Sequence, residues 1–250
     1  MKIKILLSTA LLAISSFAIA QDANKVYAIT SEGKGDFSWK NIRQFNLLTG
    51  EVNDVLLNGK DELIVAAAFD KKQNRLFYAT KKTGQLSWID FKTLQPTSSS
   101  LSQQNFNTKT SDADEAGETA RMCIGADGNG YAISNDADHL YQFSTGNVVI
   151  TDLGNLIDAE SNQGISIHNK CTSWGGDMIA DAAGKLYVIS GNGIVFSVDI
   201  ATRTATYIGS VKGLPASYTT NGAAVDKAGN IIVSSANAFE GLYSIDFNGL

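Results

Sequence analysis

Few residues of this 250-residue chain have both the type and the spacing that chemistry needs. The densest set of oxygen donors is Ser111-Asp112-Ala113-Asp114-Glu115-Ala116-Gly117-Glu118. Hard oxygens of this kind suit Ca²⁺, which takes roughly six to eight of them, so Asp112, Asp114 and Glu115 are the candidate metal ligands. Their spacing is not that of an EF-hand, and a solvated acidic loop that needs no cofactor is the competing reading. Two other stretches set an aromatic ring beside flexible backbone: Thr172-Ser-Trp174-Gly-Gly-Asp177 and Ser217-Tyr218-Thr-Thr-Asn221-Gly222. Trp174 and Tyr218 could stack on a sugar or planar ligand while Asp177 and Asn221 supply hydrogen bonds. Packing of the rings between structural units is the alternative.

Familiar nucleophile and metal motifs are absent. There is no G-x-S-x-G elbow, no H-E-x-x-H, no P-loop, and two histidines are too few for most zinc chemistry. Carboxylates of a glycosidase need not be near in sequence, so spacing does not address that reaction. Cys123 and Cys171 lie about one repeat apart, which allows a disulfide in an oxidising compartment. They stand at different phases of the repeat, however, and two inert, buried thiols are the equal alternative.

What must position these residues is a repeat. Four times an apolar strand ends in Asp: AAAFD ending at Asp70, CIGAD at Asp127, DMIAD at Asp181 and GAAVD at Asp226. A polar turn follows each (KKQN, GNG, AAGK, KAGN), as tight reversals require, and the Asp is expected to cap it through backbone N–H groups. Second strands follow at RLFYAT, YAIS, KLYVIS and NIIVSS, and third strands at QLSWIDF, HLYQFS, IVFSVDI and GLYSIDF. A more polar fourth strand closes most units, as in NVVITDL and TATYIGSV. Units of four short antiparallel strands cannot bury their faces alone, so they must stack as an array, and the blade of a β-propeller is the expected form.

The N-terminal unit, KVYAIT, NIRQFNL and EVNDVLL, matches second to fourth strands and lacks the first; the C-terminal unit supplies first to third. About five blades are therefore visible. Either they close by sharing strands, or the chain is the front of a six- to eight-bladed wheel; incompleteness at the C-terminus is the favoured expectation.

Residues 1–20 read as a secretory signal peptide: Lys2 and Lys4, an apolar run from Ile5 to Phe17, then Ala18-Ile19-Ala20 before Gln21. Residues 21–250 are expected to form the propeller, secreted or periplasmic, with no membrane span once the signal is removed. Formal net charge is −5, and both signal lysines count toward it, so the remainder is more acidic still. That surface repels phosphate backbones, which excludes nucleic acid as a natural partner.

The strand pair KLYVIS with IVFSVDIATRTATYIG, together with RLFYAT, LSWIDFKT and GLYSIDFNG, resembles the repeats of secreted bacterial β-propellers of the broad PQQ-like, YVTN and NHL-type group. The resemblance covers the chain from about residue 25 onward and speaks for architecture, not chemistry. Members of that group include dehydrogenases, lactonases, scaffolds and binding proteins, so it implies no single activity. It leaves three classes: a binding or scaffold module for a protein or carbohydrate, a lactonase- or glycosidase-like hydrolase at the channel mouth, and a quinone-dependent dehydrogenase with an aromatic-floored cavity. The first needs no polar constellation of perturbed groups in the channel. The second should bring three or more carboxylate, Asn or His side chains together.

Overall fold

A computed structural model describes residues 25–245, apart from 34, 35, 37, 59–61, 93, 94, 99–105, 107–110, 112, 238 and 239. The strands form five small sheets. The first is β1 (Lys25–Thr30), β2 (Asn41–Asn46) and β3 (Val52–Asn58); the second is β4 (Ile64–Asp70), β5 (Arg75–Thr80), β6 (Leu86–Asp90) and β7 (Gln95–Ser98). The third holds β8 (Thr119–Ile124), β9 (Asn129–Ser134), β10 (Leu140–Ser144) and β11 (Ile150–Gly154). A two-residue strand β12 (Ile157–Asp158) then joins the fourth sheet, β13 (Asp177–Ala180), β14 (Leu186–Ile189), β15 (Ile194–Asp199) and β16 (Thr204–Ser210). The last sheet is β17 (Thr220–Val225), β18 (Ile231–Ser235) and β19 (Tyr243–Ile245).

Each sheet is an antiparallel meander, and β1, β4, β8, β13 and β17 are its innermost strands, neighbours of one another in that order. The described residues thus form a five-blade β-propeller arrangement. β1, whose sequence is that of a second strand, takes the innermost place in the first blade. The parallel pairing of β12 with β16 has no counterpart in the repeat and extends the fourth blade at its outer edge.

The hinges of the repeat are the four aspartates. Asp70 Oδ1 accepts the N–H groups of Lys72 and Gln73 at 2.8 and 3.1 Å, and Asp181 Oδ1 those of Ala183 and Lys185, both at 2.9 Å. Asp127 caps Asn129 at 3.0 Å, and Asp226 caps Ala228 and Asn230 at 2.8 and 2.9 Å. These carboxylates close turns, as the sequence indicated.

Alternating burial then builds the core. In β4 every second residue from Ile64 to Asp70 is buried, the period-two pattern of a strand with one packed face. The buried apolar residues divide into four clusters, one for each pair of successive sheets. Ile42, Leu57 and Ile64 join the first two; Phe77, Phe106 and Phe143 the next two; Ile133, Leu186 and Phe196 the third and fourth; Ile189, Val195 and Val233 the fourth and fifth. No cluster among the described residues joins the fifth sheet back to the first. Tight packing explains one glycine directly. A Cβ at Gly130 would stand 1.9 Å from the Phe143 ring, which lies against β9 in the core.

Cys123 is buried in β8, whereas Cys171 is exposed in the one-turn helix α1 (Lys170–Ser173), and both thiols are free. The disulfide weighed from sequence is not formed, because the difference in phase puts one thiol inside a blade and the other on a connecting segment.

Candidate functional site

The segments that lead into the innermost strands and the turns between second and third strands gather at one end of the wheel. Main-chain hydrogen bonds fasten them together: Lys81 N–H to Leu63 O at 2.8 Å, Asn135 N–H to Glu118 O at 2.9 Å, Gly191 N–H to Trp174 O at 3.1 Å and Ala236 N–H to Thr219 O at 3.0 Å. At this end the innermost strands surround a cavity of about 500 Å³. Its wall is mainly apolar, from β1, β4 and β17, with Trp39, Phe45 and Tyr27 on the side of the first blade. The polar members are Lys81, Glu118, Asn135, Asp177, Asn221 and Ser234.

Most of these polar groups are engaged with the protein. Lys81 Nζ lies 3.3 Å from Glu118 Oε2, an ion pair whose carboxylate end is largely enclosed. Asn135 is buried; its Oδ1 accepts the Gly175 N–H at 3.2 Å and its Nδ2 donates to Glu115 O at 3.0 Å. Asn221 is exposed in the mouth. Asp177, at the start of β13, joins three blades: Oδ1 accepts from Met178 N–H at 2.8 Å, Oδ2 accepts from Ala223 N–H in β17 at 3.0 Å, and the Met122 N–H of β8 also donates to it. Burial nevertheless pushes its carboxyl up to about 7, against the pull of those N–H groups and of the Arg121 charge.

Behind the wall stands Arg121, fully enclosed. Its Nε donates to Gly175 O at 3.0 Å, Nη2 donates to Ser173 O, and Nη1 donates to Ser134 O at 3.5 Å. One guanidinium thus holds the third blade to the segment that delivers β13. Burial draws its pKa down to about 10, opposed by the charges of Asp177 and Asp136. On the same segment His168 sets Nδ1 2.6 Å from Asp136 O and Nε2 3.0 Å from Leu156 O, again linking it to the third blade. The approach there is close: Gly176 has φ +77°, and a Cβ on it would meet Ile189 O at 1.8 Å.

Of the residues singled out from sequence, Asp177 and Asn221 line the cavity together. Trp174 and Tyr218 do not belong to its wall. Lys170 Nζ lies over the Trp174 ring at 4.7 Å, and the Trp174 Nε1 is buried without a hydrogen-bond partner. Tyr218 donates to Val233 O at 2.9 Å and packs edge-on against Tyr243. In the acidic loop Asp112 lies outside the described residues. Asp114 Oδ1 caps Ala116 and Gly117, at 3.1 and 3.4 Å, and Glu115 pairs with Lys170 at 3.1 Å. Among the described residues no three His, Cys, Asp or Glu side chains converge as a metal would require. Sequence reasoning missed Lys81, Glu118, Asn135, Arg121 and the aromatic flank; a charged residue inside the apolar strand TARMCI was the one readable sign, at Arg121.

No family model and no curated protein matches the chain. Solved structures do. A chain of the nidogen/laminin complex is 12% identical, over 86% of this chain and 70% of that one, with a TM-score of 0.52. A glutaminyl cyclase from Myxococcus xanthus is 14% identical, over 89% and 96%, with a TM-score of 0.51. A protein of unknown function from Bacteroides thetaiotaomicron is 14% identical, over 87% and 55%, with a TM-score of 0.50. At such identities the likeness is one of fold. It bears out the propeller resemblance and spans both an enzyme and a chain crystallised with a protein partner.

Proposed function

We propose that this chain is an exported binding module whose ligand is a protein, and that a segment of that ligand enters the central cavity from the face bearing Trp39, Asn135 and Asn221. The observation that carries this reading is the cavity itself. It is of ligand size, mostly apolar, and furnished with a few polar groups at its mouth, which is how binding sites are generally built. The nidogen/laminin structure shows a chain of this fold in a protein complex, which supports a protein over a carbohydrate. Export rests on the reading of residues 1–20 and places the module in the periplasm or outside the cell.

The test uses thermal shift with a pooled octapeptide library and a panel of neutral oligosaccharides, on the wild type and on an Ala120→Trp variant that plugs the cavity from β8. Peptides are expected to raise the melting temperature of the wild type and not of the plugged variant, because a ligand that binds only the folded state stabilises it. Stabilisation by saccharides alone, or equal stabilisation of both proteins, would overturn the reading.

A hydrolase at the same mouth is the second reading, favoured by Asp177, since a carboxyl that titrates near neutrality can give or take a proton at physiological pH. Asn135 and Asn221 share the cavity with it. Turnover of a lactone or aryl glycoside by the wild type, abolished in Asp177→Asn, would establish that reading.

A further inference from the structure

We infer that the group received by the cavity is a lysine side chain, an apolar stem carrying an ammonium, with Asp177 as its counter-ion. This rests on the binding reading above and specifies its ligand.

Asp177 is a wall carboxyl with no salt-bridge partner among the described residues. Lys81 and Glu118 pair with each other, so Asp177 is the remaining ionisable carboxyl of the wall. No cationic nitrogen lies within 4 Å of its carboxylate among the described residues; Arg121 acts on it only at longer range, with its own donors committed to main-chain carbonyls. The N–H groups of Met178, Ala223 and Met122 take three of roughly four lone-pair directions that a carboxylate offers. The residue lines the cavity, and no described group is recorded in the remaining direction. Leading to it, the wall from β1 and β4 is aliphatic, with Tyr27 and Trp39 alongside, as a methylene stem requires.

The titratable surroundings of Asp177 are few. Arg121 and Cys123 face it from β8, and the Cys123 thiol is pushed well up by burial and then by the charges of Asp177 and Asp127. β17 contributes none, its residues being Thr, Asn, Gly, Ala, Ala and Val, and Lys81, Glu118 and Tyr27 border the same cavity.

The experiment compares blocked pentapeptides, acetyl-Ala-Val-X-Val-Ala-amide, with X lysine, norleucine or glutamate, by titration calorimetry at pH 7.5. A fourth peptide has norleucine at X and a free N-terminus. The lysine peptide is expected to bind at least about tenfold more tightly than the norleucine peptide, and the glutamate peptide more weakly than both. In Asp177→Asn, checked for folding by its melting transition, the lysine peptide should fall to the norleucine level. Should that variant not fold, the wild type suffices: at pH 7, lysine-peptide binding should release a fraction of a proton, read as a dependence of heat on buffer, and norleucine-peptide binding should release none. Equal binding of lysine and norleucine peptides, blocked by Ala120→Trp, would overturn the charge inference while leaving the cavity reading intact. Lysine-peptide binding untouched by Ala120→Trp would overturn both. Equal binding by the free-terminus norleucine peptide would assign the site to a terminal amine and overturn the lysine assignment.

Discussion

The third and fourth blades meet across a buried cluster that runs from Ile133 to Phe196, and Arg121 and His168 add polar links at its upper end. The fifth and first blades face each other across the cavity instead, with Ile232 and Ser234 on one side and Val26 to Ile29 on the other. The same kind of strand thus does two jobs. Where neighbouring blades are pressed together, its side chains are core; where they part, its backbone and small residues become the wall of a site. Packing supplies rigidity on one side of the wheel, and its interruption supplies space on the other.

The contrast is broken most severely by removing the clamp. Arg121→Ala is expected to cost roughly 3–5 kcal/mol, since it leaves the Ser173, Gly175 and Ser134 carbonyls without a donor and opens a void in the core. Denaturant titration would measure this, and a loss under about 1 kcal/mol would contradict the clamp. Gly130→Ala should cost about 1–3 kcal/mol by driving a methyl into the Phe143 ring between the second and third blades.

A pH series tests the junction of β8, β13 and β17. The folded carboxyl of Asp177 is held at about 7, above its unfolded value of about 3.9, so the folded state keeps a proton that the unfolded chain has released. Its contribution to stability is complete below about pH 4 and is lost as pH rises through 7. Between pH 5 and pH 8 the loss should reach roughly 2 kcal/mol, and Asp177→Asn should flatten the curve in that window. Asp36, Asp127 and Asp226, whose hydrogen bonds hold their carboxyls below the ordinary range, act in the opposite sense and at lower pH. On the open side, Ser234→Phe should change stability by less than about 0.5 kcal/mol, because it fills cavity and displaces no core. It should still weaken peptide binding, and a large destabilisation would mean that the gap is packed more tightly than its wall indicates. Smallest of all, EDTA should leave the melting temperature unchanged; a shift of several degrees would assign a cation to the acidic loop.

The anchor aspartates were legible in the sequence because a turn is a local problem: the residue that caps it is two to four positions from the groups it satisfies. The strands were legible for the same reason, since alternation such as IVAAAFD reports which face is buried. Asp177 and Asn221, singled out by their place beside an inner strand, both line the cavity, but the residues that join them there were not legible. Asn135 reaches Gly175 from 40 positions away, and Arg121 reaches Ser173 from 52, and nothing local to either residue marks such a partner. Trp174 and Tyr218 looked like ligand platforms because aromatic rings next to glycine look the same in sequence whether they meet a ligand or a neighbouring loop.

By itself, then, the sequence determined the repeating unit, its turns and the wheel that such units must build, because each of these depends on short-range pattern and on the need to bury one face of a strand. Only the tertiary structure decided which inner strands press together and which stand apart, and therefore where the cavity lies and that Asp177 stands in its wall. Those properties arise from groups far apart in the chain, and their energies depend on burial that exists only once the blades have stacked.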